Sequence, residues 1–199
     1  MSGKAYANRK KEEARPVGDY YATPRSLMWV AKGLFKTFFD VKKQILDPCC
    51  GTHIMKDELV KMGFKNVCEN DIMLNNGVDY LDKNVAWDVE QVIMNPPFSK
   101  WNEFVQRAKQ HATKIAVIGR LNYLSTQSRY ESGIWYGLKM VVPFTRYVDY
   151  RTPARDDGCF YVGAMATGWF LFDMNDCWGL PALGFLDVQK YATLGSYSE

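Results

Sequence analysis

The sequence has neither a long apolar run nor an N-terminal signal segment. No apolar stretch in its 199 residues approaches the length of about 20 residues that a membrane-spanning helix needs. The first residues are basic but lack the apolar core of a secretory signal. We therefore expect neither a membrane-spanning nor an exported protein. With 47% hydrophobic and 24% charged residues, the composition predicts a soluble domain of ordinary size.

Cysteine and histidine are too sparse to predict a disulfide framework or a zinc site. Two histidines are present, and the five cysteines show no CxxC spacing. An odd and scattered set of cysteines is typical of proteins from a reducing compartment, so we expect a cytoplasmic protein without bound metal. The adjacent Cys49 and Cys50 indicate small turn residues, with a redox pair as the alternative.

Negative charge is scarce outside the C-terminal part of the chain. The net charge is +3, but residues 156–199 hold six acidic residues and one basic residue, so the rest of the chain holds 24 basic and 16 acidic residues. A basic body favours a polyanionic partner such as nucleic acid, because neutralising phosphates supplies attraction that does not depend on sequence. The alternative is an ordinary solvated surface.

Strand-like and helix-like apolar patterns alternate along the chain, which predicts βαβ units and a parallel sheet. We expect residues 1–18 to form a flexible basic tail and residues 19–199 to form one domain. Thr23 is predicted to cap a helix that begins at Pro24. The predicted strands are residues 44–47, 65–69, 88–94 and 114–119, the predicted helices are residues 54–62, 100–111 and 127–138, and residues 140–150 and 159–174 are predicted to form an antiparallel hairpin at the sheet edge.

Polar segments follow the first two predicted strands, at the sheet edge where open α/β sheets bind ligands. The turn Asp47-Pro48-Cys49-Cys50-Gly51-Thr52 has small residues that allow a ligand to approach the backbone, and it precedes the N–H groups of a helix N-terminus. Glu69 is placed to accept hydrogen bonds from ribose hydroxyls. Asp79, beside Tyr80, is a candidate for contact with an adenine amino group. For each of these residues the alternative is an ordinary turn or strand end.

The segment Asn95-Pro96-Pro97-Phe98 is more specific. Two consecutive prolines fix the backbone and remove two N–H donors. The side-chain oxygen of Asn95 and the carbonyl of Pro96 remain as acceptors beside the ring of Phe98. Two acceptors and an aromatic face suit a planar ring that carries an NH₂ group, whereas a plain Asn-Pro-Pro turn is the alternative interpretation.

Together these segments resemble the S-adenosylmethionine-dependent N6-adenine (amino) methyltransferases. The turn DPCCGT is similar to their cofactor loop DPxxGxG, and NPPF matches their catalytic motif (D/N)PP(F/Y/W). Residues 20–24 resemble their N-terminal YxTP element. The order YATP, DPCCGT, acid, NPPF is that of the γ-type DNA enzymes, and the resemblance covers residues 19–174.

The resemblance implies a Rossmann-like class I methyltransferase fold, with a seven-stranded, mostly parallel sheet and an antiparallel edge hairpin. It implies S-adenosylmethionine as cofactor and adenine N6 in DNA as target, without a separate target-recognition domain. The implied catalytic residues are Asn95, Pro96, Pro97 and Phe98. The implied cofactor-binding residues are Tyr20, Tyr21, Thr23, Pro24, Asp47, Pro48, Cys49, Gly51, Glu69, Asp79, Tyr80 and Asn95.

One departure from the family pattern is His53, which stands where the family has a second glycine. It raises the alternative of a catalytically silent cofactor-binding subunit, and RNA stays open as the alternative substrate. Compact enzymes of this kind are typical of phages and restriction–modification systems, which implies a bacterial or phage-infected cytoplasm. The candidate nucleic-acid-binding residues are Arg120, Asn122, Tyr123, Arg151 and Arg155, with Arg129 and Arg146 as further phosphate contacts.

Overall fold

A seven-stranded sheet lies at the centre of the computed structural model, which describes residues 22–74, 76–145, 148, 150, 165–177 and 179–185. Its strands are β1 (Ile45–Asp47), β2 (Val67–Glu69), β3 (Gln91–Met94), β4 (Lys114–Arg120), β5 (Leu138–Pro143), β6 (Thr167–Asp173) and β7 (Ala182–Leu183). The helices are α1 (Arg25–Val30), α2 (Lys32–Phe38), α3 (Ile54–Lys61), α4 (Trp101–Lys109) and α5 (Gln127–Glu131), with short 3₁₀ helices at Phe98–Lys100 and Leu121–Ser125.

The strand order is β2-β1-β3-β4-β6-β5-β7. Strands β1 to β4 are parallel, β6 pairs antiparallel with both β4 and β5, and β7 pairs parallel with β5. Six strands therefore point the same way, and β6 alone runs against them. The predicted mostly parallel α/β sheet with one antiparallel hairpin is confirmed, because β5 and β6 form that hairpin.

The core has two layers, one on each face of the sheet. Because successive strand residues point to opposite faces, Ile93 packs on the face covered by α1, α2 and α3, whereas Val92 and Met94 pack on the face covered by α4. Trp169 and Phe170 of β6 divide between the two layers in the same way. None of the helices in the described ranges is long and apolar enough to cross a membrane.

Two predicted helices differ from the observed ones. Pro24 rather than Thr23 is the N-cap of the first helix, which is interrupted at Ala31; the prediction that Thr23 is the cap was wrong. The helix predicted over residues 127–138 ends after Glu131, because Gly133 and Gly137 adopt the left-handed conformation that stops a helix.

The long predicted strands are shorter than expected. Strand β3 begins at Gln91 rather than at residue 88, and β5 ends at Pro143 rather than at residue 150. Proline has no N–H to donate to a strand ladder, which limits how far β5 can extend. Strand β7 arises from a segment whose sequence carries no clear strand pattern.

Candidate active site

A cavity of about 780 Å³ opens where β1, β2 and β3 end. Ligands of open α/β sheets bind at this edge, and the volume falls in the range of small-molecule sites. The cavity joins the glycine-containing turn after β1 to Asn95 after β3. Its lining consists of Ala22, Thr23, residues 48–52, Ile54, Met55, residues 71–74, residues 79–81, Asn95, Pro97, Ser99, Lys100 and Phe104.

The turn after β1 is held against the segment that follows β2. The backbone N–H of Asn70 donates to the carbonyl of Asp47 (2.9 Å), and that of Cys50 donates to the carbonyl of Asn70 (3.0 Å). The N–H of Gly51 donates to Oδ2 of Asp71 (3.0 Å). Gly51 has a φ of 51°, in the left-handed region that favours glycine. These contacts bring the turn and Asp71 to one wall of the cavity.

Asp47, a predicted cofactor-binding residue, is a buried carboxyl group behind this turn, with 1% of its surface exposed, and it does not line the cavity. Its Oδ1 accepts a hydrogen bond from the N–H of Cys49 (3.2 Å), whereas Oδ2 has no hydrogen-bond partner among the described residues. Burial raises the pKa of Asp47 to about 8; the hydrogen bond from Cys49 opposes this rise, and the negative charges of Glu69 and Asp71 add to it. A buried acceptor in this state suits either a proton or a cationic group.

The acid at the end of β2 is not the acid that lines the cavity. Glu69 has its two carboxylate oxygens next to His53 Nδ1 (3.1 Å) and Lys56 Nζ (3.0 Å), and it does not line the cavity. Asp71, two residues further along the chain, does line it. The carboxylate of Glu69 therefore binds residues at the N-terminal end of α3 and does not face the cavity, contrary to the prediction that it binds a ribose.

Asp71 was missed in the sequence, although a signal for it exists. Its carboxylate accepts hydrogen bonds from the N–H groups of Gly51 and Met73, both at 3.0 Å, so its position is fixed. Ile72 and Met73 follow it with 62% and 85% of their surfaces exposed beside the cavity. The signal in the sequence is an acid followed by apolar residues, Asp71-Ile72-Met73, just after a predicted strand, at the sheet edge where ligands bind.

Asp79 and Tyr80, both predicted to lie near the cofactor, line the cavity but differ in exposure. Asp79 is exposed, and its Oδ1 accepts from the N–H of Leu81 (2.9 Å). Tyr80 is 2% exposed, and its hydroxyl lies 2.7 Å from Nε2 of His111. Because Nδ1 of His111 faces the carbonyl of Val89 (3.1 Å), Nδ1 carries the proton and Nε2 accepts from Tyr80. Burial lowers the pKa of His111, which favours this neutral form.

Asn95 reaches the cavity from the end of β3 and is 7% exposed. Its Nδ2 donates to Oγ1 of Thr23 (3.1 Å), which also lines the cavity. This bond assigns the amide nitrogen to Thr23 and so makes the side-chain oxygen the acceptor end of Asn95. Pro97 lines the cavity as well, whereas Pro96 is buried beneath it and does not.

Phe98 is not a wall of this cavity, contrary to the prediction. It is 4% exposed and packs edge-on against Tyr150, with ring centroids 5.7 Å apart. The guanidinium of Arg120 lies 5.1 Å from the centre of its ring. The hydroxyl of Tyr123 donates to its carbonyl (3.0 Å). Phe98 therefore acts as an anchor for the Asn95 segment within the core.

The residues predicted to contact nucleic acid differ in their surroundings: Tyr123 and Arg129 pack against each other in the fold, whereas Asn122 is exposed and Arg120 is half-buried. Tyr123 is 6% exposed and packs under the guanidinium of Arg129, at 3.9 Å from its ring centre, so it is not placed to contact a base. Arg129 also donates to Oδ1 of Asn102 (2.8 Å), which holds it in the fold. Asn122 is exposed, and Arg120 is half-buried with no partner for its buried Nε among the described residues.

Six further predicted site residues are either not described or do not line the cavity. Tyr20, Tyr21, Arg146, Arg151 and Arg155 lie outside the described residues. Pro24 is described but does not line the cavity, because it caps α1.

His53 occupies the position of the family's second glycine and keeps a glycine-like backbone, with a φ of 64°. Its side chain is directed to Glu69 and does not line the cavity. The ligand-capable atoms of Cys50, His53 and Glu69 all lie within 4.8 Å of one another, the one such group of three found among the described residues.

Comparison with known proteins identifies relatives by structure but not by sequence: no protein-family model and no curated protein matches this chain. A class I S-adenosylmethionine-dependent methyltransferase from Listeria monocytogenes superposes with a TM-score of 0.63 at 11% identity, over 89% of this chain and 69% of that protein. This chain has the class I methyltransferase fold.

Two further solved structures agree on that fold. The methyltransferase subunit of a type I restriction-modification system from Streptococcus thermophilus has a TM-score of 0.58 at 11% identity, over 90% of this chain and 54% of that one. A protein from Pyrococcus horikoshii described as an RNA methyltransferase has a TM-score of 0.57 at 15% identity, over 77% of this chain and 85% of that one. At these identities the similarity is one of fold, and the activity has to be argued from the residues.

Proposed function

We propose that this chain transfers a methyl group from S-adenosylmethionine to the exocyclic N6 of adenine in DNA. The observation that carries the proposal is the single cavity lined by both Gly51 and Asn95. A cofactor loop and an amino-group acceptor must share one space if a methyl group is to pass between them, because the reacting atoms have to come into contact.

The residues around the cavity fit a cationic nucleoside cofactor. Burial of Asp47, with Oδ2 lacking a partner among the described residues, leaves an acceptor for an ammonium group or a water that binds one. We assign the ribose hydroxyls to Asp71 instead of Glu69, because Asp71 lines the cavity and Glu69 does not. We assign the adenine amino group to Asp79 and the face of the adenine ring to Ile72, which line the same cavity. When bound, S-adenosylmethionine supplies an electrophilic methyl group.

Asn95 and Pro96 perform the catalytic work at the target amine. The side-chain oxygen of Asn95 and the carbonyl of Pro96 accept the two N6 protons, which directs the nitrogen lone pair out of the ring and toward the methyl group. The bond from Asn95 to Thr23 fixes the amide in the orientation that this requires. No strong base is needed, since the nitrogen becomes acidic once it is methylated and releases its proton to solvent.

Nucleic acid is the substrate class that the charge and motifs favour. The body of the chain is basic, and a base inside a duplex has to leave its stack before its amino group can enter a cavity of this kind. The order of the motifs resembles that of the γ-type DNA enzymes, and the similar protein from Streptococcus is part of a restriction-modification system. The Pyrococcus relative supports RNA as the second candidate.

The alternative of a silent binding subunit has lost the feature that favoured it. It depended on His53 crowding the cofactor, yet His53 is directed to Glu69 outside the cavity. A subunit that only binds the cofactor has no chemical need for Asn95 at the cavity wall.

The experiment is a nucleoside analysis after methyl transfer. The full chain is incubated with S-adenosylmethionine and unmodified DNA, duplex or single-stranded, and in parallel with RNA; each polymer is then digested and analysed by mass spectrometry. We expect N6-methyladenine in DNA, and at least about 100-fold less of it with the Asn95→Ala variant in the same reaction time. N6-methyladenine in RNA alone would move the proposal to the second candidate, and no methylated nucleoside in any polymer would contradict it.

A further inference from the structure

Cys50, His53 and Glu69 form a side-chain cluster that the proposed methyl transfer does not use. Their ligand-capable atoms lie within 4.8 Å of one another, and His53 Nδ1 is 3.1 Å from Glu69 Oε1. Cys50 and His53 belong to the turn before α3, whereas Glu69 ends β2. A thiol, an imidazole and a carboxylate are the three types of ligand that zinc takes in proteins.

The local charge favours a cation at this cluster. Glu69 belongs to the cluster itself, and the carboxylate of Asp71 accepts a hydrogen bond from the N–H of Gly51, the residue after Cys50 (3.0 Å). The cation that the described residues place against Glu69 is Lys56, which binds Oε2 and leaves Oε1 on the side of His53. One oxygen of Glu69 thus binds a lysine, and the other lies beside His53.

The backbone of His53 gives a second, independent reason to assign a role to its side chain. A φ of 64° is left-handed, and a non-glycine residue there costs about 1–2 kcal/mol. Glycine would adopt this conformation without that cost. Strain retained at one position is a sign that the side chain does something a glycine could not.

We propose that Cys50, His53 and Glu69 bind one Zn²⁺ ion. A water molecule completes the tetrahedron, as in zinc sites with three protein ligands. Binding releases the thiol proton of Cys50 to solvent, since the thiolate is the ligand. Glu69 ligates through Oε1, and Lys56 stays on Oε2 as an outer partner that orients the carboxylate. The ion ties the turn before α3 to the end of β2 and so stabilises one wall of the cavity.

Sequence spacing alone did not predict this site. Cys50 and His53 are close in sequence, but Glu69 joins them only because β1 and β2 are adjacent and in register, with Asp47 opposite Glu69. The inference does not depend on the proposed methyl transfer, because an inactive protein with this fold would present the same three ligands.

The experiment measures metal binding without cofactor or nucleic acid. The metal-free full chain is titrated with ZnCl₂ by calorimetry, and with CoCl₂ while the thiolate-to-cobalt absorption band is followed. We expect one ion per chain and a cobalt band typical of a single thiolate. His53→Gly and Cys50→Ser should each weaken zinc binding by about 100-fold or more, beyond the 10–100-fold that loss of an outer partner costs.

A neighbouring thiol provides the control. Cys49→Ser changes the adjacent residue of the same turn and should keep the wild-type zinc affinity and the cobalt band. His53→Gly suits its own backbone conformation, so its loss of binding is not a folding defect. Absence of zinc binding by the wild-type chain, or equal affinity in the wild type, His53→Gly and Cys50→Ser, would overturn the proposal. Neither result depends on whether methyl transfer is observed.

Discussion

The two walls of the cavity hold their functional groups in different ways. On the cofactor side, Asp71 is fixed by the N–H groups of Gly51 and Met73, and Ile72 and Met73 are exposed. On the catalytic side, Asn95 belongs to the segment that Phe98, which is 4% exposed, anchors in the core. One wall is a set of loops with exposed apolar residues, and the other is the end of an aromatic core.

The difference follows from what each wall has to do. The aromatic side includes Trp101, which is fully buried and donates from Nε1 to the carbonyl of Ile118 (2.9 Å). That approach requires Gly119, since a Cβ there would lie 2.7 Å from Nε1 of Trp101. A rigid base holds Asn95 in one geometry, which is what alignment of reacting atoms demands. Loops can adapt to a ligand that enters and leaves.

The largest expected effect concerns the aromatic core that supports the Asn95 segment. Phe98→Ala should reduce the free energy of unfolding by about 3–5 kcal/mol, because a large buried ring is replaced by a cavity. Met73→Ala, on the loop wall at 85% exposure, should change it by less than about 0.5 kcal/mol. Urea denaturation measures both. Similar values for the two variants would remove the distinction between the walls.

Asn95→Ala addresses the catalytic end of the rigid wall. We expect the rate of methyl transfer to fall by about 100- to 1000-fold, the usual cost of removing a fixed polar group from an active site, while cofactor affinity is largely kept. Asn95→Asp retains an acceptor oxygen and should lose less activity. Single-turnover kinetics and a cofactor titration separate the two effects. A near-normal rate for Asn95→Ala would rule out the mechanism.

The loop wall is tested by comparing Asp71, which lines the cavity, with Glu69, which ends β2 and does not line it. Asp71→Asn should weaken S-adenosylmethionine binding by about tenfold or more, since hydrogen bonds to a charged group are among the stronger ones. Glu69→Gln should weaken it less, because Glu69 does not line the cavity. Equilibrium dialysis provides the comparison. The reverse order would restore Glu69 as the ribose-binding acid.

The buried carboxyl of Asp47 predicts a pH dependence. Its folded-state pKa of about 8 lies above that of an unfolded aspartate, so the stability that its neutral form contributes is full below about pH 4 and is lost as the pH rises toward 8. A cationic ligand favours the ionised form, so cofactor affinity should rise by up to about tenfold per pH unit between about pH 6 and 8.

Calorimetry in two buffers of different ionisation enthalpy measures the proton released on binding. Asp47→Asn has no proton to release and serves as the control. Equal heats for the wild type in both buffers at pH 7 would show that Asp47 is not linked to the ligand.

The smallest effect concerns the turn at His53. His53→Val should be less stable than His53→Gly by about 1–2 kcal/mol, because only glycine adopts the left-handed backbone without cost. Thermal unfolding of the two variants in metal-free buffer gives the difference. Equal stability would mean that the turn is not strained, and would remove one of the two arguments for a role of the His53 side chain.

The sequence predicts the α/β class and the turn after β1 well, because both depend on local patterns. The turn from Asp47 to Thr52 and the segment from Asn95 to Phe98 follow apolar strand runs, and parallel strands bring them to one edge. The aromatic role of Phe98 could not be predicted in this way. Its packing against Tyr150 and Arg120 joins residues far apart in the chain.

The same limit explains the exchange of Glu69 for Asp71. Glu69 ends β2 and Asp71 comes two residues later, and spacing does not say which of the two faces a ligand. The answer depends on Lys56 and His53, which occupy Glu69 from the first turn of α3. Thr23 is a similar case, because its hydroxyl binds Asn95 rather than the helix that follows it.

The most direct test of the proposed methyl transfer is a calorimetric titration of the full chain with S-adenosylmethionine, because the roles assigned to Asn95, Asp71 and Asp79 all require that the cavity be its binding site. We predict one molecule bound per chain, with binding weakened by Asp71→Asn. No binding at millimolar cofactor, or binding that is indifferent to every residue lining the cavity, would contradict it.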